Sequence, residues 1–448
     1  LRRAAGNVIN HNRIDMLNVY LKQAWNLIRQ ERLFSLIYIV GTGLSVSMVM
    51  VLSIVFYMKV ANIYPETNRD RILVAKSGMV SFENGRNSSS SLSEGMINTC
   101  FASLDGVEAI ALISRRDGEY LLQPEGDPVQ LPVTVKYVNT DFWKVFPFRF
   151  IDGKPFTDAD QQSAIRTAVI AESLSRRLFG KDEAVGKYIS LNFRSYRVCG
   201  IVKDASLVTR ETYSLIWLPY TLADGYQPNS SFYNTEALGE FSAYILASKD
   251  KNLADLKKEA EVAVERYGKT LHDKTFTALG QPDYYWQSIF RFWSNSRPEY
   301  GKLVLQYGLV LLILLLVPAV SLSGMTDSRM ERRLAEMGVR RAFGAPVTTL
   351  MVQIISENFL FTVLGGVFGL LLSYLLLYLS RSWIMQLDAT FVDVLPEGAD
   401  VVFSPSMLVN YHVFGITLFV CFLLNLLSAL IPAWRASHRQ IIYSLNAK

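Results

Sequence analysis

The chain has 448 residues, 50% of them hydrophobic and 19% charged, with a formal net charge of +5. An ordinary soluble protein is about 25% charged, so the composition points toward a membrane and excludes intrinsic disorder. Three cysteines exclude a small disulfide scaffold, and the scattered bases form no stripe for nucleic acid.

Residue 1 is leucine and Met16 is the first methionine, so residues 1–15 are set aside as an expression remnant or an upstream extension. From Met16, the series Leu17, Leu21, Ala24, Ile28 predicts an amphipathic helix over 16–32 at the cytoplasmic interface. A plain extension of the following span is the alternative. The run Leu33–Met58, between Arg32 and Lys59, carries no charge and is long enough to cross a bilayer as helix.

Residues 59–301 read as a folded domain of mixed α/β (α+β) type. Strands are expected at Arg71–Ala75, Val133–Val138, Thr167–Ile170 and Tyr244–Ala247, with a hairpin of Tyr188–Leu191 and Tyr196–Val202. Gly85–Gly95, with its serine run Ser88–Ser91, reads as a flexible loop. Helices are expected at Ser173–Phe179, stopped by Gly180, and at Leu253–Tyr267, stopped by Gly268. The longer one carries Leu253, Leu256, Ala260, Ala263 and Val264 at core spacing.

Three further uncharged runs follow: Leu303–Met325, Asn358–Ser380, and a stretch whose most apolar part is Val413–Ile431. One such run could be a buried core helix; four together predict a four-span protein. Bases cluster before the first span (Lys22, Arg29, Arg32), between spans two and three (Arg329, Arg332, Arg333, Arg340, Arg341) and in the tail (Arg435, Arg439, Lys448). The loop between spans three and four sets Arg381 against Asp388, Asp393, Glu397 and Asp400. The positive-inside rule then puts both termini and the arginine-rich connector in the cytoplasm, and 59–301 outside.

The connector reads Ser328-Arg-Met-Glu331-Arg-Arg-Leu-Ala-Glu336-Met337-Gly338-Val-Arg340-Arg341-Ala-Phe343-Gly344-Ala345-Pro346. Ser328 with Glu331 is a capping-box signature. Gly338 ends that helix, and Gly344 with Pro346 restarts one that climbs into the third span. Positive-inside bias alone explains the arginines; a docking element for a cytoplasmic partner is the other reading.

Glu336–Ala345 resembles the cytoplasmic signature of the MacB/FtsX-type permease family of ABC transporters. So do Tyr20–Arg29, the run Val138–Phe146 with Gly153–Phe156, Val169–Ser173, Arg177–Gly180, Ala184–Lys187 and Val198–Val202, and the end Ile431–Ala436. Pro318 in the second span and Trp434 near the end depart from the pattern. The resemblance implies an α-helical membrane protein with four transmembrane helices (33–58, 302–325, 358–380, 413–432) and an extracytoplasmic domain between the first two. That domain would have two lobes, the distal one at about 128–240 on boundaries of low precision. A coupling segment at 326–357, an external loop at 381–412 and a cytoplasmic tail at 433–448 complete the plan.

The same resemblance implies a permease subunit without its own ATPase site, in the bacterial inner membrane. It implies a homodimer or a pair with a paralogue, and a separate ABC ATP-binding subunit that holds ATP and Mg. A periplasmic adaptor and an outer-membrane channel are the further partners that efflux would need. The ATPase-coupling residues would be Glu331, Glu336, Met337, Gly338, Arg340, Arg341, Phe343 and Gly344. ATP closure would move the external lobes, so that substrate need not cross the bilayer through the chain. No charged residue falls within the four runs to line a polar path. A sensor or regulator of a cell-wall hydrolase, and a lipoprotein-releasing permease, share this architecture; an ion-coupled carrier would rest only on Asn425 and His412.

Nothing points to catalysis. Gly180–Tyr188 has five residues between its glycines and tyrosine after Lys187, where a phosphate loop needs four and a Ser or Thr. Leu322-Ser-Gly324 lacks the rest of an ATPase signature. His11, His272, His412 and His438 have no second ligand at metal spacing. Cys100 and Cys199 would share the external compartment, as a disulfide or as two buried thiols; Cys421 reads as packing.

Overall fold

The computed structural model describes residues 25–26, 28–30, 32–123, 130–180, 184–227, 235–271, 273–291, 293–297, 299–314, 316, 339, 342–344, 346–388, 414–423 and 426–427. Two units emerge, one holding Tyr57–Glu299 and the other the helices on either side of it.

In the helical unit, Arg32–Val60 and the Met351–Ser380 part of the helix Val347–Asp388 are long and apolar enough to cross a membrane. Tyr300–Leu314 and Phe414–Leu423 are shorter apolar helices overlapping the expected second and fourth spans; most of the rest of those spans lies outside the described residues. The two long helices meet through glycine. A Cβ on Gly369 would stand 2.6 Å from the Gly43 carbonyl oxygen, and one on Gly365 would stand 2.8 Å from Cβ of Thr42. Small residues let membrane helices approach at backbone distance, where dispersion rather than the hydrophobic effect must hold them. Tyr38 and Phe361 pack tilted against each other with ring centroids 5.1 Å apart.

The expected third span begins at Asn358, but the helix continues N-terminally through Glu357. That residue lies inside the candidate span Met351–Ser380 and is only 2% exposed. The carboxylate accepts a hydrogen bond from Gln353 Nε2 at 3.1 Å, one turn earlier. Tyr38 donates its hydroxyl to Asn358 Oδ1 at 3.3 Å. A charged residue therefore does lie within a candidate span, held by local polar partners.

The second unit is built on fifteen strands: β1 Ile72–Ala75, β2 Gly78–Phe82, β3 Asn87–Leu92, β4 Val107–Ser114, β5 Gly118–Gln123, β6 Leu131–Val138, β7 Phe150–Gly153, β8 Thr167–Ala171, β9 Tyr188–Leu191, β10 Arg194–Val202, β11 Ile216–Pro219, β12 Leu238–Gly239, β13 Phe241–Ala247, β14 Lys274–Thr277 and β15 Asp283–Tyr284. The order β6-β5-β9-β10-β8-β11 closes on itself, because β11 also pairs in parallel with β6. β7 pairs with β10, and the other strands, drawn from the two ends of the segment, centre on β13 between β4 and β1. An aromatic cluster of Phe142, Trp143, Phe146, Phe148 and Trp217 fills the core, with Phe148 and Trp217 centroids 5.1 Å apart.

Two local expectations change. The serine run is a strand, β3, paired with β2 (Met79 opposite Ser89) and with β12 and β13. Its side chains are small enough for close approach: Ser90 Oγ donates to the Gly239 carbonyl at 3.2 Å, and a Cβ on Gly239 would lie 2.6 Å from Ser93 Cα. Tertiary pairing outweighs the poor strand propensity of serine. The helix expected to stop at Gly268 runs from Leu253 to Thr270. Gly268 is there for space, since a Cβ would meet the Phe276 carbonyl oxygen at 3.0 Å. Its buried stripe is Leu256, Ala260 and Val264. Gly180, by contrast, does end the helix Glu172–Phe179, in the left-handed region at φ 72°.

Candidate functional site

The last turn of Arg32–Val60 leaves backbone carbonyls without helical partners. Arg69 supplies them. Its Nη1 donates to the carbonyls of Met58 at 2.8 Å, Lys59 at 3.2 Å and Ala61 at 2.7 Å. A guanidinium at a helix C-terminus also complements the helix dipole.

Arg69 is 3% exposed and Glu66 is fully buried, so the charge needs a partner in place. Glu66 Oε2 accepts from Arg69 Nε at 2.9 Å and lies 2.8 Å from Nη2. Burial works against the guanidinium charge, but Glu66 outweighs it and leaves the Arg69 pKa raised. Glu66 also accepts from Thr212 Oγ1 at 2.9 Å and from the Tyr285 hydroxyl. The Tyr285 ring lies under the guanidinium at 4.9 Å. Burial first, and then Glu66, push the Tyr285 hydroxyl well above its ordinary pKa, so it stays a donor.

Tyr285 opens the helix Tyr285–Ile289 on the far side of the domain in sequence, next to β15. There a second buried arginine repeats the device. Arg291 forks onto Asp283, Nε to Oδ2 at 2.7 Å and Nη2 to Oδ1 at 2.9 Å, with both side chains 3% exposed. Its Nη1 reaches the carbonyls of Leu279 at 3.3 Å and Ser296. Gln281 stitches the same segment to the residues after β1: its Oε1 accepts from the Lys76 amide at 2.6 Å, and its Nε2 donates to the Ser77 carbonyl at 3.1 Å and the Ser294 carbonyl at 2.9 Å. β1 and β15 are themselves paired, Leu73 opposite Tyr284.

Near this base, Glu211 meets Lys76 Nζ at 2.6 Å and accepts from the Tyr244 hydroxyl. Burial would raise the Glu211 carboxyl, but Lys76 with these hydrogen bonds takes it down to about 2.

Of the residues expected to couple to an ATPase, Glu331, Glu336, Met337, Gly338, Arg340 and Arg341 lie outside the described residues. Phe343 is 88% exposed, and its amide donates to the Val339 carbonyl at 3.1 Å. Gly344 takes φ 88°, and the next helix starts at Val347 after Pro346. Cys100 and Cys199 are free thiols pushed up to about 12 by burial. Cys421 is likewise free and buried. Sequence reading missed Glu66, Arg69, Asp283, Tyr285 and Arg291. The available signal was an acid and an arginine three residues apart just beyond an apolar span, Glu66 and Arg69.

A family model described as MacB-like periplasmic core domain matches residues 35–263, and one described as FtsX-like permease C-terminal matches residues 308–441. The pyoverdine export ATP-binding/permease protein PvdT of Pseudomonas savastanoi is 26% identical over 240 residues, 52% of this chain and 34% of PvdT. The uncharacterized ABC transporter permease YknZ of Bacillus subtilis is 21% identical over 271 residues, 60% of this chain and 64% of YknZ. The periplasmic region of MacB from Actinobacillus actinomycetemcomitans aligns in structure with a TM-score of 0.32 at 16% identity, covering 45% of this chain and 88% of that one. The chain thus spans about a third of the length of the first curated relatives it matches. With the core-domain match covering more than half of its 448 residues and the permease match following in order, the chain belongs to the MacB/FtsX family of ABC transporter permeases.

Proposed function

We propose that the chain is a mechanotransmission permease of an ABC transporter that exports a periplasmic substrate. ATP and Mg are held by an ATP-binding ABC partner beneath the connector, which engages it through Glu331, Glu336, Met337, Gly338, Arg340, Arg341, Phe343 and Gly344. The chain has four spans and cytoplasmic termini, sits in the inner membrane, and pairs with a second copy or a paralogue.

The observation that carries this reading is the construction of the two junctions. β1 and β15 are neighbouring strands; Arg69 holds carbonyls at the end of the first long helix, and Arg291 holds Asp283 of β15. On this reading, Arg69 is the residue through which a displacement of the first long helix would reach the domain. The test is the double change Glu336→Lys with Arg341→Glu in the full chain. Membrane insertion should persist, because Arg329, Arg332, Arg333 and Arg340 keep the connector inside. Co-purification of the ATPase, or permease-stimulated hydrolysis, should fall at least tenfold, as for truncated charge pairs at interfaces (about 2–5 kcal/mol). Unchanged binding and stimulation would reduce the connector to a topology signal.

A further inference from the structure

The ladder between β7 and β10 contains a side chain from elsewhere in the domain. Val202 faces Phe150 at the end of this antiparallel pair. One residue further, the Lys203 amide donates to the Arg149 carbonyl at 3.0 Å. Opposed residues in an antiparallel hydrogen-bonded pair exchange two such bonds, the second running from the other amide. Here the return bond passes through Tyr64. The Arg149 amide donates to the Tyr64 hydroxyl at 3.1 Å, and that hydroxyl donates to the Lys203 carbonyl at 3.0 Å. One oxygen accepts from the first strand and donates to the second. Burial raises the Tyr64 hydroxyl to about 12, so it keeps the proton it donates. The ring is held edge-on to Phe148, with centroids 6.0 Å apart.

Tyr64 belongs to the linker 61–71, between the first long helix and β1. Arg69 of that linker grips the carbonyls at the helix end. Two more of its side chains reach the loops between the ring strands. Asn68 Nδ2 donates to the Val145 carbonyl at 3.0 Å, between β6 and β7, and Glu66 accepts from Thr212, between β10 and β11. Arg71 turns the other way, its Nη1 donating to the carbonyl of Ala247, the last residue of β13, at 2.8 Å.

We infer that Tyr64 is a positioning residue: by filling a ladder position between β7 and β10, it ties the closed ring of strands to the end of the first long helix by a route separate from β1. Packing on Phe148 would need only the ring; the tie needs the hydroxyl. The inference concerns the folded chain without nucleotide or partner, so loss of ATPase stimulation would leave it standing.

The test is Tyr64→Phe in the full chain in nanodiscs, a change that keeps the aromatic ring and removes the oxygen. Hydrogen exchange resolved to single residues should show the Arg149 amide exchanging about tenfold faster, the scale of one lost hydrogen bond. The Lys203 amide, which bonds the Arg149 carbonyl directly, should be unchanged. Distances are read between nitroxides on noncanonical residues, which leaves the three cysteines in place. One pair joins Thr67 in the linker to Arg177 on the helix after β8; the other joins Thr67 to Lys258 on the helix Leu253–Thr270, and all three side chains are exposed. The linker-to-ring distribution should broaden and the linker-to-base distribution should not. An unchanged Arg149 amide, equal acceleration of both amides, an unchanged linker-to-ring width or equal broadening of both pairs would overturn the inference.

Discussion

Val74 of β1 and Asp283 of β15 face each other in antiparallel register. One follows the first long helix and the other precedes the helix Tyr300–Leu314, so the chain enters and leaves the domain on adjacent strands. Asp283 is also the carboxylate that holds Arg291. Backbone pairing and the buried ion pair thus fall on the same residue.

Breaking the Glu66–Arg69 pair from one side should be costly. Arg69→Ala strands a buried carboxylate and frees three helix-end carbonyls, and should destabilise the domain by about 3–5 kcal/mol. The double change Glu66→Gln with Arg69→Met removes both charges and should recover most of that loss in thermal unfolding of the full chain. It should still lower ATPase stimulation, because the carbonyls of Met58, Lys59 and Ala61 lose their donor. Full stimulation in the double variant would mean that the clasp carries no coupling.

Glu211 gives a pH dependence with a definite sign. Its folded-state pKa of about 2 lies below the ordinary value of 4.5. Its stabilisation is therefore fully present above about pH 4.5 and is lost as pH falls toward 2, by up to about 3 kcal/mol at 1.36 kcal/mol per pKa unit. Glu211→Gln should flatten the unfolding profile over that window while leaving its shape above pH 5 unchanged. An identical acid limb in the variant would refute the assignment.

The helix contact at Gly369 predicts intolerance to any side chain. Gly369→Val must displace the Gly43 backbone, an overpacking that should cost about 1–3 kcal/mol. Gly308→Ala, where nothing lies within 4 Å of the new Cβ, should be neutral. Denaturation in mixed micelles distinguishes the two.

Topology is testable by fusion. A reporter after Ser231 should be active only outside the cytoplasm and one after Ala345 only inside; both points lie outside the described residues. An inside signal at Ser231 would end the four-span arrangement.

Local chemistry made much of the domain readable before its structure. Thr167–Ile170 is a β-branched and apolar run and forms β8; the pair Tyr188–Leu191 and Tyr196–Val202 forms the β9–β10 hairpin. The hairpin turn was not foreseeable, because Asn192 and Phe193 both take positive φ (44° and 65°) without glycine. β3 was unreadable for a different reason: a serine run looks like a loop until its neighbours are known. The base clasp was the least legible of all. Glu66 and Arg69 are close in sequence, but Thr212 and Tyr285 reach them only through the fold. The connector stood out by resemblance, not by periodicity.

The burial of Arg69 and Glu66 has an environmental consequence. Exposed ion pairs weaken as salt rises. This pair is shielded from that screening by the protein around it. The Arg69–Glu66 clasp should therefore hold equally in fresh water and in brine.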